Sequence, residues 1–367
     1  MATVTATSER KVQKVLLPGQ SPDGQYVLSV LVKRTYEVVP GKPCVRAESD
    51  AKIITGDRFW DDPMNSSVKL ESDFVPWKVA TDVVLNGRAY APKGRATSAF
   101  LAGLEVGVVR KQVSIIGDRI ARYTGGVPAF TDPQPVGAVD LRYENAYGGA
   151  DIYSDRKLPC LYARNTVGKG FAIRNARETL DQMALPNLED PNDRLTPERL
   201  CCGHFMHWER QPMPQSFGWF AKTWQPRASF AGVMPADRAT ERELRKMYAQ
   251  AVPPEQRATY EQNQLPDMNF RFFNGASQGL SVPFLKGDEC VRAVNLTPET
   301  ALEFHLPGES PRIGLDIGQG VEEPEVVLHT VMIRMEDRQV DLLWRGAVPY
   351  PGPDWLPQMR KCEVTVK

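Results

Sequence analysis

The chain has 367 residues, 42% hydrophobic and 25% charged, the balance of a soluble globular protein with enough apolar material for a large core. Its 45 Lys plus Arg match its 45 Asp plus Glu, so no net field draws it towards nucleic acid or an anionic membrane. Its densest apolar run, Val27–Val32, falls far short of the roughly 20 residues that cross a bilayer.

Residues 1–20 read as an N-terminal tail without the apolar core of a secretory signal, so a cytoplasmic location is expected. The first segment with clear character is Gln25–Val39, rich in β-branched and aromatic residues and closed by Pro40 and Gly41. Both of its faces are apolar, which predicts a central strand. Short strands are expected at Ala51–Ile54 and Val68–Phe74, then another in TDVVLNGRAYAP, closed by Pro92 and Gly94. Between Ser98 and Tyr123 the pattern is that of a hairpin. Phe100, Ala102, Leu104, Val106 and Val108 alternate on one face, and Val113, Ile115 and Ile120 follow on the return. A sheet with one buried face needs a cover, most simply a second sheet.

From about residue 125 to 264 the periodicity weakens and Gly, Pro, Asn and Asp become frequent. Two helices are predicted here, one over Ala176–Met183 and one over Arg238–Gln250. In the second, Leu244, Met247, Tyr248 and Ala251 share a face and Pro253-Pro254 stops it. Strands return at Leu285–Leu296 and Ala301–His305. A last hairpin follows: Val327, His329, Val331, Ile333 and Met335 alternate up to a turn at Glu336–Arg338, and Val340, Leu342 and Trp344 alternate back. Proline makes up 30 residues, about 8% against a usual 5%, which favours strands and ordered loops over a helical bundle. The expected architecture is mainly β: an antiparallel β-sandwich-like core drawn from both chain ends, with a loop-rich middle containing a few short helices. One large domain at 21–350 divides into a β half (21–124), a loop-and-helix middle (125–264) and a second β half (265–350). Residues 351–367 are a C-terminal extension.

Several constellations invite a chemical reading. LCCGHFMHWERQP places Cys201, Cys202, His204 and His207 within seven residues. If it were helical, Cys201 and His207 would diverge by about 120°. Structural zinc sites take two ligands from each of two separated arms, and no second cluster exists in the sequence. His305 and His329 stand alone, so a folded polar turn without metal is the favoured reading. The other cysteines, Cys44, Cys160, Cys290 and Cys362, are scattered, as free thiols are in a reducing compartment. NTVGKGF, residues 165–171, looks like a phosphate cradle but lacks the P-loop spacing. Its plainer reading is a tight loop with two positive-φ glycines and Lys169 facing solvent or a carboxylate. No G-x-S-x-G nucleophile elbow occurs. The aromatics of FGWFAKTWQPRASFAG, residues 217–232, are expected to lock a loop onto the core, with a stacking interface as the alternative.

Taken in order, PWKVATDVVLNGRAYAP, YENAYGG, NTVGKGF, LPNLEDP, FGWFAKTWQPRASFAG, DMNFRFFNGASQ, FLKGDECVRAVNLTPE and the final LLWRGAVP resemble a bacterial family of type VI secretion adaptor-chaperones, long described only as a domain of unknown function. The resemblance spans about residues 20–350. It implies a stand-alone, non-enzymatic cytoplasmic adaptor without cofactor or metal. Its partners would be a secreted effector, held near its amino terminus, and a secretion spike protein. In such proteins the loop usually reads Asn-Pro-Val-Gly-Lys-Gly, whereas Thr166 stands here in place of the proline. The loops carrying Glu144, Tyr147, Asn165, Lys169, Trp219 and Trp224 are the expected client surface. The alternative is that these residues hold the loops together, which special backbone angles favour for Tyr147 and the glycines. Two rival functions differ in class: a metal-dependent hydrolase using Cys202, His204 and His207, and a structural component that travels with the spike.

Overall fold

The predicted central strand forms over Tyr26–Glu37, with one apolar face and one that also buries polar groups. In the computed structural model, which describes residues 12–154, 159–232 and 268–367, it lies between Gln13–Gln20 and Gln339–Pro349, antiparallel to both. On one face, Leu28, Val30 and Val32 pack against Ile313 and Leu315. Those two belong to a small sheet of Ile313–Asp316, Val321–Glu322 and Glu363–Val366. On the other face, Lys33 and Thr35 bind Asp73 and Asp341. The segments read as tail and extension therefore both supply strands. Gln13–Gln20 pairs along its whole length, although Pro18 and Gly19 interrupt its pattern in the sequence.

The large sheet runs Gln13–Gln20, Tyr26–Glu37, Gln339–Pro349, Val326–Arg334, Thr81–Asn86, Ser281–Val282, with Val45–Arg46 beside the second strand. It is mixed, because Val326–Arg334 pairs parallel to Thr81–Asn86. A β-bulge between Leu328 and Thr330 shifts the register. Leu328, rather than Val327, therefore joins Val331 and Ile333 in the core.

The second sheet runs Leu188–Glu189, Val109–Ile116, Ala99–Val106, Cys290–Val294, Ala301–His305. Its inward Ala102, Leu104, Val106, Val113 and Ile115 meet Val83, Leu85, Val331, Ile333, Leu342 and Trp344 of the first sheet in one continuous core. Both sheets take strands from both halves of the chain, as the sequence predicts. Each fully buried aliphatic contributes about 1.5–3 kcal/mol.

Some local expectations fail for identifiable reasons. Val108 is 96% exposed, because the hairpin turns at Gly107, which adopts φ 58°. Ala51–Ile54 is not a strand: side chains satisfy its amides, Thr35 Oγ1 at Ala51 and Asp73 Oδ2 at Ile54. The helix expected over Ala176–Met183 is one turn, Arg177–Leu180. The helix expected over Arg238–Gln250 lies outside the described residues.

Candidate functional site

The motifs YENAYGG and NTVGKGF close on each other backbone to backbone. Tyr147–Gly148 pairs parallel to Lys169–Gly170. The Asn165 side chain is fully buried, and its Nδ2 donates to the carbonyls of Tyr143 (2.8 Å) and Tyr147 (3.0 Å). The approach is so close that a Cβ on Gly149, at φ 95°, would collide with the Gly168 carbonyl oxygen. Gly170 has the positive φ expected of it, whereas Gly168 is needed for space, against Asn165 and the Ala146 carbonyl. Lys169 is half-buried and donates to Asn145 Oδ1 at 3.3 Å instead of meeting a carboxylate. Burial holds its pKa below the ordinary lysine value.

The other candidate residues surround this knot. Tyr147 is buried edge-on to Tyr162, 5.0 Å between ring centroids, and its hydroxyl donates to Gln211 Oε1. Glu144 accepts from both the amide and the hydroxyl of Ser67 at 2.7 Å. Trp224 is buried against Tyr143 and Phe220, and its indole N–H donates to Thr166 Oγ1. Trp219 is buried with the Lys78 ammonium 5.2 Å from its ring centroid. Tyr147, Asn165, Trp219 and Trp224 therefore cannot present side chains to a partner in this conformation. The structure brings all but Trp219 into one network, and that network closes on itself.

The Cys-His stretch is a clamp on the same knot. Cys201–Gly203 runs beside Ala172–Ile173, with the Cys202 and Gly203 amides donating to the carbonyls of Ala172 (3.0 Å) and Ile173 (2.9 Å). Burial pushes the Cys201 and Cys202 thiols up to about 11, so neither is a reactive thiolate near neutral pH. Cys202 Sγ donates to the carbonyl of His204. Among the described residues no group of three or more His, Cys, Asp or Glu side chains is placed to hold a metal ion.

Sequence reasoning missed the charged layer on the outer face of the large sheet. Asp82, fully buried, accepts from Lys78 Nζ (2.6 Å), Ser281 Oγ (2.6 Å), the Gly275 amide (3.0 Å) and Asn274 Nδ2 (3.1 Å). Burial alone would raise its pKa; the Lys78 charge and these bonds outweigh it and hold the carboxyl below its usual range. This one aspartate thus joins the motifs PWKVATD and NGASQ. Glu71 takes both terminal nitrogens of Arg227, at 2.6 and 2.7 Å. These acids are fully engaged in structural bonds.

Two open features stand out among the described residues. The first is the outer edge of Gln13–Gln20, eight residues that pair on one side with Tyr26–Glu37. Among the described residues no main-chain group bonds to its other side. The second is a cleft of about 570 Å³ at the second sheet, walled by Ala99–Val106 and Val109–Ile116 and closed by Asp190–Asn192. Among the described residues no helix is long and apolar enough to cross a membrane. A family model described as "Uncharacterized protein conserved in bacteria (DUF2169)" matches residues 23–345. No curated protein and no solved structure matches the chain.

Proposed function

The chain belongs to the bacterial family DUF2169, and from that premise we propose that it is a non-enzymatic adaptor that binds a type VI secretion effector near its amino terminus and helps load it onto the secretion spike. The ordered motifs support this reading through their resemblance to such adaptors. The observation that carries it is the edge of Gln13–Gln20, which no main-chain group of the described residues pairs. A row of unpaired N–H and C=O groups is a template for one more strand. An extended client segment added there gains main-chain hydrogen bonds whatever its sequence, and contacts with the side chains of the edge strand supply choice.

The interlocked loops serve this role as a rigid scaffold. Their aromatic and amide groups are spent on one another, so the proposed contact moves from Glu144, Tyr147, Asn165, Lys169, Trp219 and Trp224 to the sheet edge. The work takes place in the cytoplasm, before export, and calls for no cofactor, nucleic acid or membrane.

The test is a pull-down from the native bacterium with the full chain as bait, read by mass spectrometry, together with the chain's distribution between cells and medium. The reading expects a neighbouring-gene effector or a spike protein on the bait and the chain retained in cells. A bait that returns alone contradicts it. A chain found in the medium beside the effector favours a travelling spike component instead.

A further inference from the structure

Three lysines are buried in the described structure: Lys33, Lys78 and Lys111. Lys33 is paired with Asp73 and Lys78 with Asp82. Among the described residues no acid forms an ion pair with Lys111. Its Nζ donates to Ser277 Oγ at 2.8 Å and to the carbonyl of Gln278 at 2.7 Å, which uses two of its three N–H bonds. A buried cation without a counter-charge is costly, and such groups concentrate at binding sites.

Lys111 and its acceptor Gln278 both line the 570 Å³ cleft, whose size is that of a small-molecule site. The cleft exists because a neighbouring strand stops short. Within this sheet Leu188–Glu189 pairs with no more than Ser114 and Ile115, and the chain leaves the sheet at Asp190 and Pro191. The edge beside Lys111 is therefore left without a strand. Gln112 and Gln215 add carboxamides to the lining. The other charged groups on the wall are Arg110, Glu105 and Asp190. Arg110 and Glu105 lie 3.8 Å apart and largely cancel. Asp190 already accepts from the Asn192 amide at 2.8 Å.

We propose that this cleft binds a carboxylate, with Lys111 supplying the charge that pairs with it and the surrounding carboxamides orienting the rest of the ligand. A monoanion matches one unpaired ammonium; a dianion such as phosphate would meet Asp190 with excess charge. The carboxylate comes either from a free small acid or from the carboxyl end of a peptide. This site is separate from the Gln13–Gln20 edge and stands whether or not an effector binds there.

Calorimetric titration of the full chain with acetate, and with N-acetyl-Gly-Leu as free acid and as amide, tests the proposal. Acetate binding as well as the peptide acid identifies a small acid as the ligand. Peptide acid binding at least roughly tenfold tighter identifies a chain terminus. Either result requires Lys111→Met to weaken binding by roughly tenfold or more. Because Lys111→Met also removes two hydrogen bonds, Asp190→Asn, titrated at about pH 5.5 so that Lys111 stays protonated without its acidic neighbour, provides a second check and should tighten carboxylate binding. Equal binding of the peptide amide, preference for inorganic phosphate, unchanged affinity in both variants, or no binding to the wild-type chain would overturn the proposal.

Discussion

The hydroxyl of Thr166 accepts the indole N–H of Trp224 at 3.2 Å, joining two loop segments 58 residues apart in sequence. A proline at 166 could not make this bond. With Trp224 only 2% exposed, the N–H has no water to turn to.

Thr166→Val should therefore cost about 1–3 kcal/mol, the penalty of leaving a buried donor unpaired. Thr166→Ser, which keeps the oxygen, should cost well under that. Urea midpoints at constant slope measure both. Equal losses in the two variants would show that the hydroxyl does not matter.

Gly149→Ala should be severe, about 3 kcal/mol or more, because the φ of 95° and the Gly168 carbonyl both oppose a Cβ. Gly125 is the control: its φ is 61° with nothing within 4 Å of the new methyl, so Gly125→Ala should cost only about 1–2 kcal/mol. Similar thermal shifts for the two would refute the interlocking of the loops.

Much of the frame is legible in the sequence because two-residue alternation reports directly on a half-buried strand. Tyr26–Glu37 and both long hairpins are visible in this way. Gln13–Gln20 is hidden because Pro18 and Gly19 break its pattern and only its partner strand makes it regular. The bulge at His329 cannot be seen either, since alternation assumes a constant register. The glycines of YENAYGG and NTVGKGF announce tight loops, but not that the loops clasp each other, which depends on contacts distant in sequence. Lys111 carried a usable signal: it sits two residues before Val113 and four before Ile115, on the inward parity of its strand.

Glu71→Gln should cost about 3–5 kcal/mol, because it strands the Arg227 guanidinium in the interior. A paired replacement of Glu71 and Arg227 by methionine should recover much of that loss. Chemical denaturation of Glu71→Met, Arg227→Met and the double variant, beside Glu71→Gln, checks this. A double variant as unstable as the sum of the singles would mean that the two residues act independently.

Burial pulls Lys111 down to about 7, opposed only partly by Asp190. Between about pH 7 and pH 10 the unfolded chain holds a proton at this lysine that the folded chain lacks. Stability from this group therefore rises with pH across that window, by at most about 1.4 kcal/mol per unit. Below about pH 7 both states are protonated and the penalty is fully present. Lys111→Met removes it, so the variant's advantage over the wild-type chain should be largest below pH 7 and shrink towards pH 10. Cys44, Cys201 and Cys202, which burial pushes to about 11, act the other way above about pH 9, but they do so in both proteins and cancel in the difference. A difference that does not change with pH would contradict a buried, unpaired lysine.

Hydrogen exchange of the chain, alone and with an effector captured in the proposed pull-down, bears most directly on the adaptor mechanism. Strand addition predicts that amides within Gln13–Gln20 that exchange freely in the isolated chain become strongly protected in the complex, while the loop knot around Asn165, already bonded, changes little. A stable complex that leaves residues 13–20 unprotected and shields another surface would contradict docking at this edge.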